Sequence, residues 1–394
     1  MIPRHAPNHR LTGLSLAILL LTAVAGHADP TATAVPAGRD GVLVLALKNS
    51  SSTQAHAAVG MLLSRSCPSG RCGTFATCSL VLVAPDVALT AAHCVENPDK
   101  AYHVFFAGAA PVTVAPDGIA RFCDGRIDCD PVSGDLAALR LSLAMPGIAP
   151  IARSPVLPST GVMVGYGDSA PARPDNGILR QATVPIESCG PRTLCYRFDQ
   201  DSPAACNHDS GGPLFGTDGL LLGLASQTEA DCVAGKGTYI RVTGPWVDPW
   251  WQDHVDRGGA PPSAGVLSRP VLDVDCSLQP CWRGADADGL RIPFHVSEDS
   301  SSLVVSINYA LRTDPSGCQA PDQDSCLVDY DLELEAPETG RQSCYCENGF
   351  HQVSVCSCKA PASGEWTAVI RSVANKGAFQ VTGRTTMLDD GAAE

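Results

Sequence analysis

Short apolar runs separated by glycine, proline, aspartate and serine are the feature that most constrains this chain. They recur through its first two thirds, as Ala58 to Leu63, Ser79 to Val83, Val87 to Ala92, Val104 to Phe106, Gly161 to Val164, Ala182 to Ile186, Leu220 to Leu224 and Tyr239 to Val242. Runs this short and this punctuated predict strands of an antiparallel barrel or sandwich. The pattern from Trp246 to Val255 is the exception and predicts a helix. The predicted fold class is therefore all-β.

Two domains are expected, because a chain of 394 residues exceeds one ordinary hydrophobic core. The boundary is predicted within residues 257–270, whose Gly, Pro and Ser cannot bury a core. In residues 271–394 apolar and polar side chains alternate, for example at Leu303, Val304, Val305, Ser306, Ile307 and Asn308. This period of two, with many acidic residues and eight cysteines, predicts a disulfide-rich β-sandwich with one face in water.

The N-terminus has the pattern of a secretory signal. Arg4 and Arg10 precede an apolar stretch, and a small-x-small site ends at Ala28, so residues 1–28 are predicted to be a signal peptide. The apolar stretch is short for a membrane span. Residues 29–46 are predicted to be a pro-segment.

Eighteen cysteines, an even number, in an exported chain predict disulfides and an oxidising compartment, either extracellular or periplasmic. The net charge of −14 argues against nucleic acid or an anionic membrane as partner. No cofactor is expected. Calcium is a weak alternative at four aspartates, Asp286, Asp288, Asp322 and Asp324, for which hydrated acidic turns are the commoner explanation.

Three stretches carry residues suited to nucleophilic catalysis. Ser210 lies between an aspartate and two glycines, which can hold a hydroxyl on a tight turn beside converging N–H groups; alone, the stretch is also an ordinary Gly-Pro turn. His93 ends an apolar strand, and Cys94 beside it can bond to Cys78. Asp135 precedes another apolar strand, where it is either a strand cap or the carboxylate that orients a histidine.

Together, in the order histidine, aspartate, serine, these stretches resemble the trypsin/chymotrypsin family of serine proteases. The resemblance covers roughly residues 47–256 and implies two antiparallel barrels. It implies that Ser210 is the nucleophile, that His93 is the base and that Asp135 orients it. The N–H groups of Ser210 and His208 would form the oxyanion hole, although the family has glycine where His208 stands.

The resemblance also implies disulfides Cys189–Cys195 and Cys206–Cys232. Short-range pairs are expected at Cys67–Cys72, Cys123–Cys129, Cys276–Cys281 and Cys318–Cys326. Four cysteines, Cys344, Cys346, Cys356 and Cys358, can pair in three ways that the sequence leaves open.

Activation in the family places a new N-terminus beside the aspartate that precedes the nucleophile, here Asp209. The chain has no Arg-Ile-Val-Gly-Gly stretch. Leu47 is the predicted new N-terminus, after cleavage at Ala46; cleavage after Lys48, leaving Asn49, is the alternative.

The specificity pocket is predicted to be shallow and uncharged. Ala204 stands where trypsin-like members place an aspartate, and Ala205 follows it. Thr228 and Gly237 correspond to the walls, and Ser226 lies on the strand that resembles the one pairing with substrate in the family. Small or medium apolar P1 residues are therefore expected. A one-residue shift in the alignment would instead put Lys236 in the pocket and favour acidic substrates.

The predicted function is a secreted serine endopeptidase, acting as a monomer on protein or peptide substrates. The C-terminal region loosely resembles the bacterial pre-peptidase C-terminal domain, which implies substrate or surface binding, or help with export. The alternatives are a catalytically weak or inactive binding protein on a protease fold, and an adhesin.

Overall fold

The computed structural model describes residues 47–66, 73–97, 100–123, 134–145, 147–170, 175–256, 266–276, 281, 289–310, 327–337, 344–350, 352–373 and 377–388. The predicted signal peptide and pro-segment, the four candidate calcium aspartates, and the pairs Cys67–Cys72 and Cys318–Cys326 lie outside them, as does Cys129. Residues Leu43–Glu394 form one compact unit.

The first group of strands closes into a six-stranded barrel. Its members are β2 (Val59–Ser66), β3 (Gly73–Ala84), β4 (Val87–Thr90), β5 (Tyr102–Phe106), β6 (Val112–Arg121) and β7 (Ala137–Leu141), in the spatial order β2-β3-β4-β7-β6-β5. Leu62, Leu80, Leu82, Val104 and Leu139 pack in its core. The apolar runs of the sequence thus form strands because closure lets each one bury a side-chain face.

The second group is an eight-stranded antiparallel sheet. It contains β1 (Ser51–Ser52), β8 (Thr160–Gly165), β9 (Arg180–Pro185), β10 (Glu187–Ser188), β11 (Thr193–Phe198), β12 (Pro213–Phe215), β13 (Leu221–Thr228) and β14 (Gly235–Arg241), in the order β1-β9-β8-β12-β13-β14-β11-β10. Its hydrogen-bonded pairing ends at two short edge strands, β1 and β10, rather than closing as the first barrel does.

Helical structure is confined to short segments in the described residues. A 3-10 turn at Ala92–Val95 follows β4, and another spans Ala230–Cys232. The helix expected near Trp246 to Val255 is present as α1 (Asp248–Trp251), which continues into a π-helical turn, Gln252–Asp256. No helix among the described residues is long and apolar enough to cross a membrane.

The C-terminal region consists of two further sheets, as the alternation predicted. One has the order β15-β22-β17-β20-β19 and the other the order β16-β21-β18. Their bounds are β15 (Val266–Asp275), β16 (Leu290–Val296), β17 (Ser302–Tyr309), β18 (Tyr330–Glu335), β19 (Tyr345–Phe350), β20 (Val353–Lys359), β21 (Gly364–Ser372) and β22 (Phe379–Leu388). Leu303, Val305 and Ile307 lie in the core between them.

Two expectations about this region are wrong. Strand β15 begins at Val266, within the segment 257–270 predicted as a linker, because it pairs with β22 along its whole length. Ser306 and Asn308, expected to face water, are 0% and 1% exposed. They are covered by the protease region: Gly108 N donates to Ser306 Oγ (2.8 Å), and Asn308 Nδ2 donates to Gly177 O (2.8 Å).

The described cysteines form six disulfides among themselves. Four join expected partners, Cys78–Cys94, Cys189–Cys195, Cys206–Cys232 and Cys276–Cys281. The other two are Cys344–Cys358 and Cys346–Cys356, which selects one of the three pairings left open. The hairpin of β19 and β20 explains the choice, because its register sets Cys346 directly opposite Cys356.

Candidate active site

Ser210 lies on a turn pressed against the first barrel. Ser79 N donates to Ser210 O (2.9 Å), and Gly211 N donates to Ala225 O (2.7 Å). Gly211 has φ +78°, and a Cβ there would lie 2.2 Å from Thr90 Oγ1. Only glycine fits both requirements, which explains the residue that follows the serine.

His93 and Asp135 meet at the same rim. His93 Nδ1 donates to Asp135 Oδ2 (2.7 Å), and His93 N donates to Asp135 Oδ1 (2.9 Å). The Sγ atom of Cys94, the residue after His93, lies 3.8 Å from Ser210 O. The three sequence stretches therefore lie at one rim.

Ser226 has a contact that the sequence reasoning missed. Its Oγ donates to Asp135 Oδ2 (2.6 Å), so the Asp135 side chain, which is 1% exposed, accepts three hydrogen bonds. The sequence placed Ser226 only on a substrate-pairing strand. Nothing in the sequence pattern linked it to a carboxylate 91 residues away.

The protonation of His93 is set by opposing effects. Burial lowers the pKa of His93, but the hydrogen bond and charge of Asp135, with the charge of Glu96, outweigh it and raise the pKa above its ordinary value. Asp135 therefore favours the imidazolium that a general base becomes after it takes a proton.

The turn before Ser210 is held by hydrogen bonds to two backbone carbonyls, those of Asn207 and His208. Asp168 N donates to Asn207 O (2.8 Å), and Ser79 Oγ donates to His208 O (3.1 Å). In a trans peptide the N–H points opposite to the preceding C=O, so the His208 N–H is directed away from Asp168. His208 adopts φ +69°, a left-handed conformation that suits the glycine found there in the family and that few L residues adopt.

The His208 side chain has an acidic partner. Its Nδ1 lies 3.3 Å from Asp168 Oδ2, within ion-pair distance but without good hydrogen-bond alignment. Burial lowers the pKa of His208, yet Asp168, together with the charge of Asp209, raises it overall. A protonated His208 would thus be attracted to Asp168, which is buried.

Asp209 is buried and accepts hydrogen bonds from Gly167 N (2.8 Å) and Cys206 N (2.9 Å). Burial raises the pKa of Asp209 to about 7, opposed by these two N–H groups and by Arg180, while Asp168 adds to the rise. A Cβ on Gly167 would lie 2.4 Å from Asp209 Cγ, so the carboxylate requires a glycine there. Leu47 is buried in the core of the second sheet.

A cavity of about 380 Å³ opens beside Ser210. Its lining residues are Thr77, Ala205, Cys206, Asn207, His208, Ser210, Ala225, Ser226, Gln227, Thr228, Asp231 and Cys232. The lining includes three of the five predicted substrate-binding residues, Ala205, Ser226 and Thr228.

The other two predicted pocket residues lie outside this lining. Ala204 is fully buried. Gly237 packs against Tyr196: a Cβ there would lie 2.1 Å from that ring, whose Oη accepts a hydrogen bond from Ala205 N (2.8 Å). Tyr196 therefore packs against Gly237 and bonds the backbone of Ala205, which lines the cavity.

The charge at the cavity matches neither of the two alternatives considered from the sequence, which were an uncharged pocket and a pocket containing Lys236. Lys236 is outside the lining and lies 3.9 Å from Glu229. Asp231 lines the cavity instead, on a left-handed turn at φ +47°. A left-handed turn without glycine has no recognisable pattern in a single sequence. The sequence therefore did not predict that Asp231 lines the cavity.

Among the described residues, one group has three side chains at metal-binding separation, namely Cys78, His93 and Cys94. Both cysteines are consumed by their disulfide. That group therefore offers one free ligand atom, on His93.

The barrel, the second sheet and this rim define a chymotrypsin-like serine endopeptidase. The trypsin family model matches residues 49–248, about half of the chain. Brachyurin of Leptuca pugilator is 31% identical over 193 residues, which cover 42% of this chain and 83% of that protein. Trypsin of Simulium vittatum is 25% identical over 172 residues, covering 38% and 69% respectively. The chain belongs to the trypsin family, and its substrates are proteins or peptides.

Proposed function

We propose that Ser210, His93 and Asp135 carry the reaction. Ser210 Oγ attacks the carbonyl carbon of the scissile bond while His93 Nε2 takes its proton. The proton then passes to the leaving amine, and water releases the acyl group by the same route. The observation that carries this proposal is the buried Asp135 carboxylate. It accepts two hydrogen bonds from His93, one from the ring Nδ1 and one from the backbone N–H.

The backbone N–H groups of His208 and Ser210 are proposed to hold the oxyanion. Support comes from the direction of the His208 N–H, which follows from the bond between Asp168 N and Asn207 O. Each such donor contributes roughly 3–4 kcal/mol to transition-state stabilisation in comparable sites.

Cleavage is proposed after small or medium uncharged P1 residues. The uncharged Ala205 and the Tyr196 ring behind Gly237 support a shallow pocket. One observation favours a second preference: Asp231 lines the same cavity and would attract a basic side chain.

A peptide-library cleavage profile distinguishes the two preferences. Cutting after Ala, Val or Leu supports the shallow pocket. Dominant cutting after Arg or Lys, reduced in Asp231→Asn, would establish the second preference.

Secretion and processing are also part of the proposal. Removal of residues 1–28 would export the chain, whose disulfides suit an extracellular or periplasmic space. A second cleavage would leave Leu47 first, near the buried Asp209. N-terminal sequencing of the active protein checks this, and a first residue outside 45–52 contradicts it.

Labelling by a fluorophosphonate probe tests the catalytic assignment. We expect the folded protein of unchanged sequence to label at Ser210. The label should be lost in Ser210→Ala and in the unchanged protein after heat denaturation. Folded, processed protein that shows no Ser210-dependent labelling would instead be the binding protein considered above.

A further inference from the structure

Three buried amide side chains of the C-terminal sheets bond the rim loop, defined as residues 175–180. Gln352 Nε2 donates to Asn176 O (2.7 Å), Asn308 Nδ2 to Gly177 O (2.8 Å) and Gln380 Nε2 to Leu179 O (3.2 Å), while Leu179 N donates to Gln380 Oε1 (3.0 Å). Backbone groups buried this way need such partners. The C-terminal sheets thus satisfy the main chain of the rim loop.

The contact made by Gln352 continues to the oxyanion turn. Asn176, whose carbonyl it bonds, donates its N–H to Asp168 Oδ1 (3.1 Å). Asp168 then holds the turn twice, by its backbone N–H to Asn207 O (2.8 Å) and by its carboxylate 3.3 Å from His208 Nδ1. Three successive contacts therefore join a side chain of the C-terminal region to the residue that replaces the family's glycine.

A second contact of Gln352 leads to the same turn. Ala76 N donates to Gln352 Oε1 (3.2 Å). Ala76 lies on β3 three residues before Ser79, whose Oγ bonds His208 O (3.1 Å). Gln352 is 0% exposed and thus ties together the two segments that hold the His208 peptide.

We propose that Asp168 and Gln352 are positioning residues for the oxyanion hole. A non-glycine residue at φ +69° needs added restraint to keep its N–H directed at the substrate carbonyl, and these two residues supply it. The C-terminal sheets are then part of the proteolytic machinery rather than a separate binding module. This inference rests on the proposed catalytic role of Ser210.

Steady-state kinetics on a peptide substrate test it in the full-length, processed chain. Asp168→Asn and Gln352→Met should each lower kcat by about 2- to 30-fold, the range found for residues that act through a network. KM should change little, because neither side chain lines the substrate cavity.

Ser354→Ala is the matched control. Ser354 is 0% exposed, lies on β20 two residues after Gln352, and donates to Tyr330 O (2.7 Å) within the C-terminal region. It should lower the melting temperature without changing kcat. If Ser354→Ala lowers kcat as much as Gln352→Met at an equal loss of stability, the positioning role is wrong.

His208→Gly supplies a further readout. With glycine the turn reaches its dihedral angles unaided, so Asp168→Asn and Gln352→Met should have much smaller effects in that background. Undiminished effects there contradict the inference. A native protein without Ser210-dependent labelling contradicts the proposed function, whereas a labelled native protein with unchanged kcat in both variants contradicts the positioning role alone.

Discussion

Two buried aspartates belong to the candidate site around Ser210, and they are held in different ways. Asp135 accepts two hydrogen bonds from His93 and one from Ser226. Asp209 accepts hydrogen bonds from two backbone N–H groups, those of Gly167 and Cys206, and burial raises its pKa to about 7. On the side of the proposed base, side chains hold the carboxylate, whereas on the side of the proposed oxyanion hole, backbone N–H groups and the charges of Arg180 and Asp168 act on it.

The difference between Asp135 and Asp209 separates the part of the candidate site that matches the family's sequence motifs from the part that departs from them. Asp135 and His93 lie in the sequence motifs that carry the resemblance to the family, and they bond each other directly. Asp209 and His208 depend on Asp168, Arg180 and, through the rim loop, on strands that begin after residue 300. Substitutions on either side test this contrast.

The largest effect is expected from Asp135→Asn. The amide would hold His93 in the wrong tautomer and could not stabilise the imidazolium, so kcat should fall by about 10⁴-fold. Single-turnover hydrolysis of an activated ester measures the loss. Asp218→Asn, an exposed carboxylate in a surface turn, should leave kcat unchanged; a loss of less than about tenfold in Asp135→Asn would contradict the assignment.

In the chain before processing, Asp209→Asn should change how the free energy of unfolding depends on pH. Its pKa rises from 3.8 unfolded to about 7 folded, so the protonated form is favoured by folding. Stability from this group is fully present below about pH 4 and is lost as pH rises through 7. The loss is about 4 kcal/mol, at about 1.4 kcal/mol for each pKa unit. Denaturant unfolding of both proteins between pH 4 and 8 checks this, and parallel curves would refute it.

The pH dependence of kcat/KM should follow His93. Since its pKa is raised and only the neutral imidazole accepts the serine proton, activity should fall as pH decreases, with a midpoint above the ordinary histidine value of about 6.5. Below that midpoint the loss is about tenfold per pH unit. A midpoint below 6 would contradict the pairing described for Asp135.

Ser226→Ala should give the smallest effect. It removes one of three donors to Asp135, and a hydrogen bond to a charged group contributes about 1.5–3 kcal/mol, so the lower end of this range, about tenfold in kcat/KM, is expected. The remaining two donors keep His93 in place. Ser188→Ala, at an exposed serine of β10, is the matched control.

Local motifs in the sequence predicted much of the protease region. Gly211 adopts a left-handed turn conformation, φ +78°, which two adjacent glycines indicate, and the pattern around His93 marks a strand end. Both could be predicted because each pattern lies within a few residues. The alternation of Leu303, Val305 and Ile307 likewise predicted a sheet, because a single core face imposes it.

Contacts between distant segments were not readable. Ser306 and Asn308 have the composition of a solvent face, yet they pack on residues far earlier in the chain. Ser226 bonds Asp135, and Asp231 lines the cavity beside Ser210. Spacing along the sequence does not predict contacts between segments this far apart. The strand at Val266 was hidden by neighbouring Gly and Pro, because its pairing with β22 outweighs local propensity.

The position of Gln380 on β22, the last strand that the structure describes, has a consequence for biosynthesis. A ribosome synthesises the chain from its N-terminus onward, so the proposed catalytic residues are made long before Gln352 and Gln380. Until Gln380 on β22 has been made, the rim loop lacks one of its amide partners, and until Gln352 has been made, the His208 peptide lacks part of its restraint. If the positioning role holds, a nascent or truncated chain is a poor protease, and the producing cell meets the active enzyme only after the whole chain has been made and folded.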